Sequence, residues 1–193
     1  MNLTALALLP FTLIASSPFA VAAGKYQKTP EGLVAAIHAD DLAGVRELVL
    51  SGVSPNRLAH PKTENSYGDA YPIESASAGC RTEILKFLLG QGAKPNPPRK
   101  KGDLTPVHYA AAYDCSEGIK ILIAAGSKFD ASTDGDTPLI KASYAGNMKS
   151  VRILVEAGAS LRSVSKDGDT PYGAANVFGN REVARYLRSV GGK

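Results

Sequence analysis

The chain has 193 residues, 44% of them hydrophobic, and a formal net charge of +4. That is room for one domain of roughly 100–200 residues around an ordinary buried core. A charge this mild excludes, on composition alone, any argument for nucleic acid as the partner, because such binders gather Lys and Arg on one face or helix.

Residues Met1–Ala23 carry no charged side chain. An apolar run, Leu3–Ile14, precedes SSPFAVAAG, in which Ala20-Val21-Ala22 and Val21-Ala22-Ala23 are small-x-small cleavage sites. The pattern predicts a secretory signal peptide over 1–23, although its start lacks the usual Lys or Arg. The alternative is an uncleaved anchor. Pro10, Pro18 and Ser16-Ser17 break up the roughly 20 mainly apolar residues that a span needs. No Cys lies near the cleavage site to take a lipid, and no other segment is apolar enough to cross a bilayer. The expectation is a mature chain over 24–193, periplasmic or secreted, with no stable membrane anchoring after cleavage.

Four dipeptides then punctuate the chain: Tyr71-Pro72, Thr105-Pro106, Thr137-Pro138 and Thr170-Pro171, at spacings of 34, 32 and 33. Pro in the first turn of a helix costs no hydrogen bond, and Thr beside it can cap the N-terminus. A short first helix follows, with small residues such as Ala110-Ala111 and Ala142-Ser143 that let neighbours approach. A second helix shows apolar residues at helical spacing: Ile84, Leu85, Leu88 and Leu89, then Ile119, Leu122 and Ile123, then Val151, Leu154 and Val155. Gly92, Gly126 and Gly158 follow these helices, as a left-handed C-terminal cap requires. TDGD at 133–136 and KDGD at 166–169 hold turn residues suited to tight hairpins.

A period near 33 with this phrasing resembles the ankyrin repeat. Residues 71–96, 105–130, 137–162 and 170–192 follow its pattern, and LVAAIHADDLAGVRELVLSGVSPN at 33–56 matches its second half. The resemblance implies an all-α solenoid of about five helix-turn-helix repeats, near 29–56, 67–96, 101–130, 133–162 and 166–193. One helix pair cannot bury its apolar face alone, whereas stacked pairs make one core whose end copies are adapted to water. Asp40-Asp41 in repeat one and Arg181, Arg185 and Arg188 in repeat five fit such end copies. Departures from the pattern are plain. The loop between repeats one and two spans 15 positions from Asn56 to Tyr71, against 8 from Arg162 to Thr170. Tyr71 stands where Thr is usual, and only His108 keeps the family's His after Thr-Pro, with Glu74, Ile140 and Gly173 elsewhere.

The chain offers no catalytic constellation. His38, His60 and His108 have no acidic or Cys partner at a metal-binding interval, and no H-E-x-x-H, paired C-x-x-C, G-x-S-x-G or Walker-type loop is present. DGD at 134–136 and 167–169 lacks the twelve-residue calcium spacing. GQG at 90–92 reads as a helix end. His108 sits where the fold uses a histidine for hydrogen bonding. No catalytic, cofactor or metal residue is therefore predicted. Cys80 falls at the family's Gly position in the turn of repeat two, and Cys115 one position later in repeat three. Stacked helices lie about 8–10 Å apart and a disulfide needs α-carbons within roughly 7 Å. The offset closes part of that gap, and export favours pairing, so a disulfide and two free thiols both stand as readings.

Resemblance to ankyrin proteins implies recognition of another protein, not nucleic acid, through hairpin tips and the exposed side of the first helices. Tyr113 and Phe178 share one repeat position, Tyr144 is its neighbour, and Tyr109 lies one turn before Tyr113. With Lys141 they predict an aromatic band on the concave face of repeats three to five, of the kind that anchors interfaces. Packing between repeats is the alternative use of these rings. Arg99, Lys100 and Lys101 predict a basic hairpin tip that meets an acidic partner, or else a solvated loop. The expected function is a non-enzymatic periplasmic adaptor, scaffold or accessory partner, as small exported ankyrin proteins resemble partners of periplasmic enzymes such as catalases. Two alternatives stand beside it: an immunity-type inhibitor with residues 57–70 as its plug, and a redox protein using Cys80 and Cys115.

Overall fold

The computed structural model describes residues 25–60, 69–100, 102–133 and 135–193. The predicted signal peptide, Lys101, Asp134 and the middle of the 57–70 loop lie outside the described residues. The described residues hold ten helices in five pairs: α1 (Pro30–His38) with α2 (Leu42–Leu50), α3 (Pro72–Ala78) with α4 (Thr82–Gly90), α5 (Pro106–Ala112) with α6 (Ser116–Ala124), α7 (Pro138–Ala145) with α8 (Met148–Glu156), and α9 (Pro171–Val177) with α10 (Arg181–Ser189). First helices stack on first helices and second on second, and each pair packs internally. None of these helices is long and apolar enough to cross a membrane.

Each first helix opens on proline behind an extended residue. Thr29, Thr137 and Thr170 accept from the amides of Gly32, Ile140 and Gly173 at 3.1, 3.3 and 3.1 Å. Repeat two lacks that threonine. Its cap is made the other way round: the Tyr71 amide donates to Glu74 Oε2 at 2.9 Å. Each second helix of the middle repeats ends where Gly92, Gly126 and Gly158 take φ of 82°, 86° and 91°, which only glycine adopts without strain. The core forms one continuous cluster through all five pairs. Ile84, Leu85, Leu88, Ile119, Leu122, Val151 and Leu154 are fully buried, while Leu89, Ile123 and Val155 sit half-buried at its edge. Burial of this kind is worth about 1.5–3 kcal/mol per large side chain, which is what makes the stack rather than the single pair the stable unit.

The two ends differ from the middle. At the start, residues 25–29 form a strap across the first pair. Lys25 Nζ and the Tyr26 hydroxyl donate to Asp41 Oδ2 at 2.9 and 3.2 Å, while Asp41 Oδ1 caps α2 at the Gly44 amide, 2.9 Å away. A Cβ at Gly44 would meet the Tyr26 ring at 2.7 Å, so a larger residue there would push the ring aside. At the far end, Arg181, Arg185 and Arg188 lie exposed along α10. Two of them replace apolar residues of the preceding repeat: Met148 and Val155, packed on the core of repeat four, occupy the places of Arg181 and Arg188.

Two sets of side-chain links hold neighbouring pairs in register. On the hairpin side, the first helix of one repeat reaches the hairpin of the next. Glu31 accepts from the His60 amide at 3.1 Å, Glu74 binds Arg99, His108 Nε2 meets the Asp136 carbonyl at 3.1 Å, and the Tyr144 hydroxyl donates to Ser165 Oγ and Asp169 Oδ2, both at 3.2 Å. On the turn side, the residue before each second helix reaches back. Arg81 donates to Asp40 at 3.1 Å, Asn147 to the Ala111 and Ala112 carbonyls at 2.8 Å, and Asn180 to the carbonyls of Ser143 and Tyr144 at 2.9 and 2.8 Å. Cys115 holds the same place between repeats two and three, and it is bonded to Cys80 with α-carbons 5.2 Å apart. Cys80 achieves this approach from a left-handed backbone, φ 52°, shared with Asp40 and Asp114.

Candidate protein-binding groove

The first helix of repeat two ends on Ala78 with Gly79 as its C-cap, whereas that of repeat three carries Tyr109 at its middle and Tyr113 at its C-cap. Stacking these ends side by side leaves a groove of about 170 Å³. Ala78, Gly79 and Ser75 form one wall, the two tyrosines another, and His38, Ala70 and Glu74 complete it. The Tyr113 ring is 57% exposed, which for a residue of its size marks a surface available to a partner. Burial and then Arg81 lower the His38 pKa, so its imidazole is neutral at pH 7. Burial raises the Tyr109 pKa, which keeps its phenol protonated. Glu74 lines the groove floor but is already committed to the Tyr71 amide and the Arg99 guanidinium. What remains for a partner is aromatic surface, a wall of small side chains and two neutral polar tips.

The aromatic band expected over repeats three to five divides in two. Tyr109 and Tyr113 belong to the groove, and so face repeats one and two rather than four and five. Tyr144 and Phe178 form a second cluster, ring centroids 5.0 Å apart and edge to face. Tyr144 is half-buried and its hydroxyl is engaged with the hairpin of repeat five, so it packs between repeats. Phe178 is 63% exposed and has exposed Val177 beside it. Lys141 is half-buried, and its Nζ donates to Asp136 Oδ2 at 2.5 Å.

The three residues expected at the basic tip part ways. Arg99 turns inward to 13% side-chain exposure, with Nε donating to Glu74 Oε1 at 2.6 Å, a terminal nitrogen paired with Glu74 Oε2, and the guanidinium 5.0 Å from the Tyr71 ring centroid. A nearly buried carboxylate, 2% exposed, is the reason, since it demands a partner charge. Lys100 keeps its place on the hairpin, its amide donating to Asp103 at 3.1 Å, and Lys101 lies outside the described residues. The sequence pattern alone does not place His38, Ala70 or Glu74 in the groove. The small pair Ala78-Gly79, opposite Tyr113 in repeat register, is the signal that a cleft opens there.

His108 is buried and fully used. Its Nδ1 accepts from the Thr105 hydroxyl at 2.7 Å and lies 3.3 Å from the Thr105 amide, so Nε2 carries the proton donated to the Asp136 carbonyl. Among the described residues, no group of three or more His, Cys, Asp or Glu is placed to hold a metal ion.

Five helical pairs stacked in register and joined by hairpins define an α-solenoid repeat protein. The family described as ankyrin repeats, in three copies, matches residues 33–133 and again 125–192, and the chain belongs to this ankyrin-repeat family. No curated protein matches the chain. Ankyrin repeats mark it as a protein–protein interaction module.

Proposed function

We propose that this protein is an exported, non-enzymatic adaptor or accessory partner that holds another protein in the groove between Tyr109, Tyr113 and the Ala78-Gly79 wall. The observation that carries the reading is an exposed tyrosine facing a wall of small residues: a preformed, largely apolar recess beside a rigid aromatic ring is where interface energy concentrates. Phe178 and Val177 supply a second exposed apolar contact on the same end of the first helices. Location in the periplasm or outside the cell is supported by the apolar, uncharged start of the chain with its small-x-small sites, and by the disulfide, which oxidising compartments favour.

Affinity capture tests the reading. The protein and its Tyr113→Ala and Phe178→Ala variants are each immobilised and exposed to the exported fraction of the source cells. A partner held by the wild type and lost with Tyr113→Ala is the expected result. Equal recovery with both variants overturns the groove as the binding surface.

A further inference from the structure

Three of the four junctions between repeats are closed on the turn side by hydrogen bonds: Arg81 to Asp40, Asn147 to two carbonyls, and Asn180 to two carbonyls. At the junction of repeats two and three, the same position carries Cys115, and the disulfide to Cys80 stands in for the missing guanidinium or amide. A free thiol is a weak donor and does not replace an amide that binds two carbonyls. The hairpin side of this junction is different. There Glu74 holds Arg99, and Asn96 bridges the Gly126 carbonyl and the Lys128 amide at 2.9 Å each, with no sulfur involved. Opening the disulfide therefore leaves the turn side held by helix packing alone while the hairpin side keeps its polar links, which is the arrangement of a hinge.

The groove runs from Ala70 and Glu74 at the fastened, hairpin end to Ala78, Gly79 and Tyr113 at the turn end, so its turn end lies on the freed side. Ala78 and Gly79 immediately precede Cys80, and Tyr113 is two residues before Cys115, so each wall is anchored next to one sulfur. Cys80 is exposed while Cys115 is fully buried. We propose that the Cys80–Cys115 disulfide is a redox latch that fixes the width of the binding groove, opened by a dithiol reductant at Cys80 and closed again by a disulfide oxidant. In the opening step a thiolate of the dithiol attacks Cys80 Sγ, the S–S bond breaks, and Cys115 leaves as a thiolate and takes up a proton. The second thiol of the reductant resolves the mixed disulfide, freeing Cys80. Two electrons pass to the protein and the dithiol becomes a disulfide. Oxidised, the groove has one geometry; reduced, the turn ends of the two walls are tied only by the packing of α3 on α5, so the groove loosens there and grip weakens. The latch rests on the groove being the binding surface, but its test does not need the partner.

The purified protein is compared, oxidised and after treatment with a dithiol, by amide hydrogen exchange, together with the Cys80→Ser/Cys115→Ser double variant. Reduction is expected to speed exchange about tenfold or more at residues 76–82 and 110–118 while leaving 138–189 unchanged. The double variant shows the fast pattern without reductant and does not respond to it. A second measurement separates a latch from a permanent staple: millimolar reduced glutathione opens the bond in the folded protein. Unchanged exchange on reduction, or a bond that glutathione opens only after unfolding in urea, overturns the latch. Should the double variant not fold, wild-type exchange in reducing and oxidising glutathione buffers decides between latch and staple in the same way. Loss of the latch leaves the binding reading intact, and failure of Tyr113→Ala to affect capture removes the binding reading while the exchange result stands.

Discussion

The Glu74 carboxylate caps its own helix and, at the same time, holds Arg99 of the next hairpin: the Tyr71 amide lies 2.9 Å from Oε2 and Arg99 Nε 2.6 Å from Oε1. Both groups are nearly shielded from water, so each depends on the other. Removing one member of such a pair costs about 3–5 kcal/mol, because the other is left charged and buried. Glu74→Gln and Arg99→Ala are each expected to lose that much in urea unfolding. Replacing both with apolar residues is expected to cost much less than the sum. Ile140 already occupies the place of Glu74 in repeat four, which shows that the site accepts a hydrocarbon side chain.

His108 makes the stability pH-dependent. Burial lowers its pKa from 6.5 to about 4, since the charged ring would lose water and its Nδ1 already accepts a hydrogen bond. The unfolded chain then binds a proton that the folded chain refuses. Stability contributed by the neutral ring is complete above pH 6.5 and is lost as the pH falls toward 4, by about 3 kcal/mol. Thermal melts between pH 7 and 4 check this, and His108→Asn is expected to flatten most of the slope while being less stable at pH 7.

The disulfide closes a loop between residues 35 apart in sequence. Constraining the unfolded chain over that length is worth about 3–4 kcal/mol. Denaturant midpoints of the oxidised protein and the Cys80→Ser/Cys115→Ser variant are expected to differ by that amount, and a reductant should shift only the wild type.

Tyr113 and Tyr144 separate binding from stability. Tyr113 is exposed and its truncation to Ala is expected to change folding by less than about 0.5 kcal/mol while weakening partner capture. Tyr144→Phe keeps the ring on Phe178 but removes two hydrogen bonds to the last hairpin. It is expected to cost about 1 kcal/mol of stability with little effect on capture.

Much of this architecture is legible in the amino-acid order, because repetition amplifies weak local signals. One Thr-Pro or one glycine decides little, but three at a fixed spacing mark the helix starts and the left-handed stops. The two cysteines are legible as neighbours for the same reason, through their place in the repeat. What escapes are contacts that occur once. Arg99 reads as a charged tip beside Lys100 and Lys101, and only the fold shows that a buried glutamate 25 residues earlier draws it inward. Lys141, still half-exposed, is tied to Asp136 by a pairing that likewise occurs only once. The strap at Lys25 and Tyr26 has no periodicity at all, so nothing local marks it as part of the first repeat. The groove falls between these cases. Its tyrosines are visible, but which neighbours they face depends on how the helix ends splay.

Arg181 and Arg188 on the last helix have a consequence beyond solubility. A row of self-similar units carries within it the instructions for its own continuation, since the surface that welcomes one copy would welcome another molecule's first copy just as well. Head-to-tail contacts of that sort do not close on themselves and grow into filaments. By putting guanidinium groups where repeat four has Met148 and Val155, the fifth pair makes its outer face inhospitable to a newcomer.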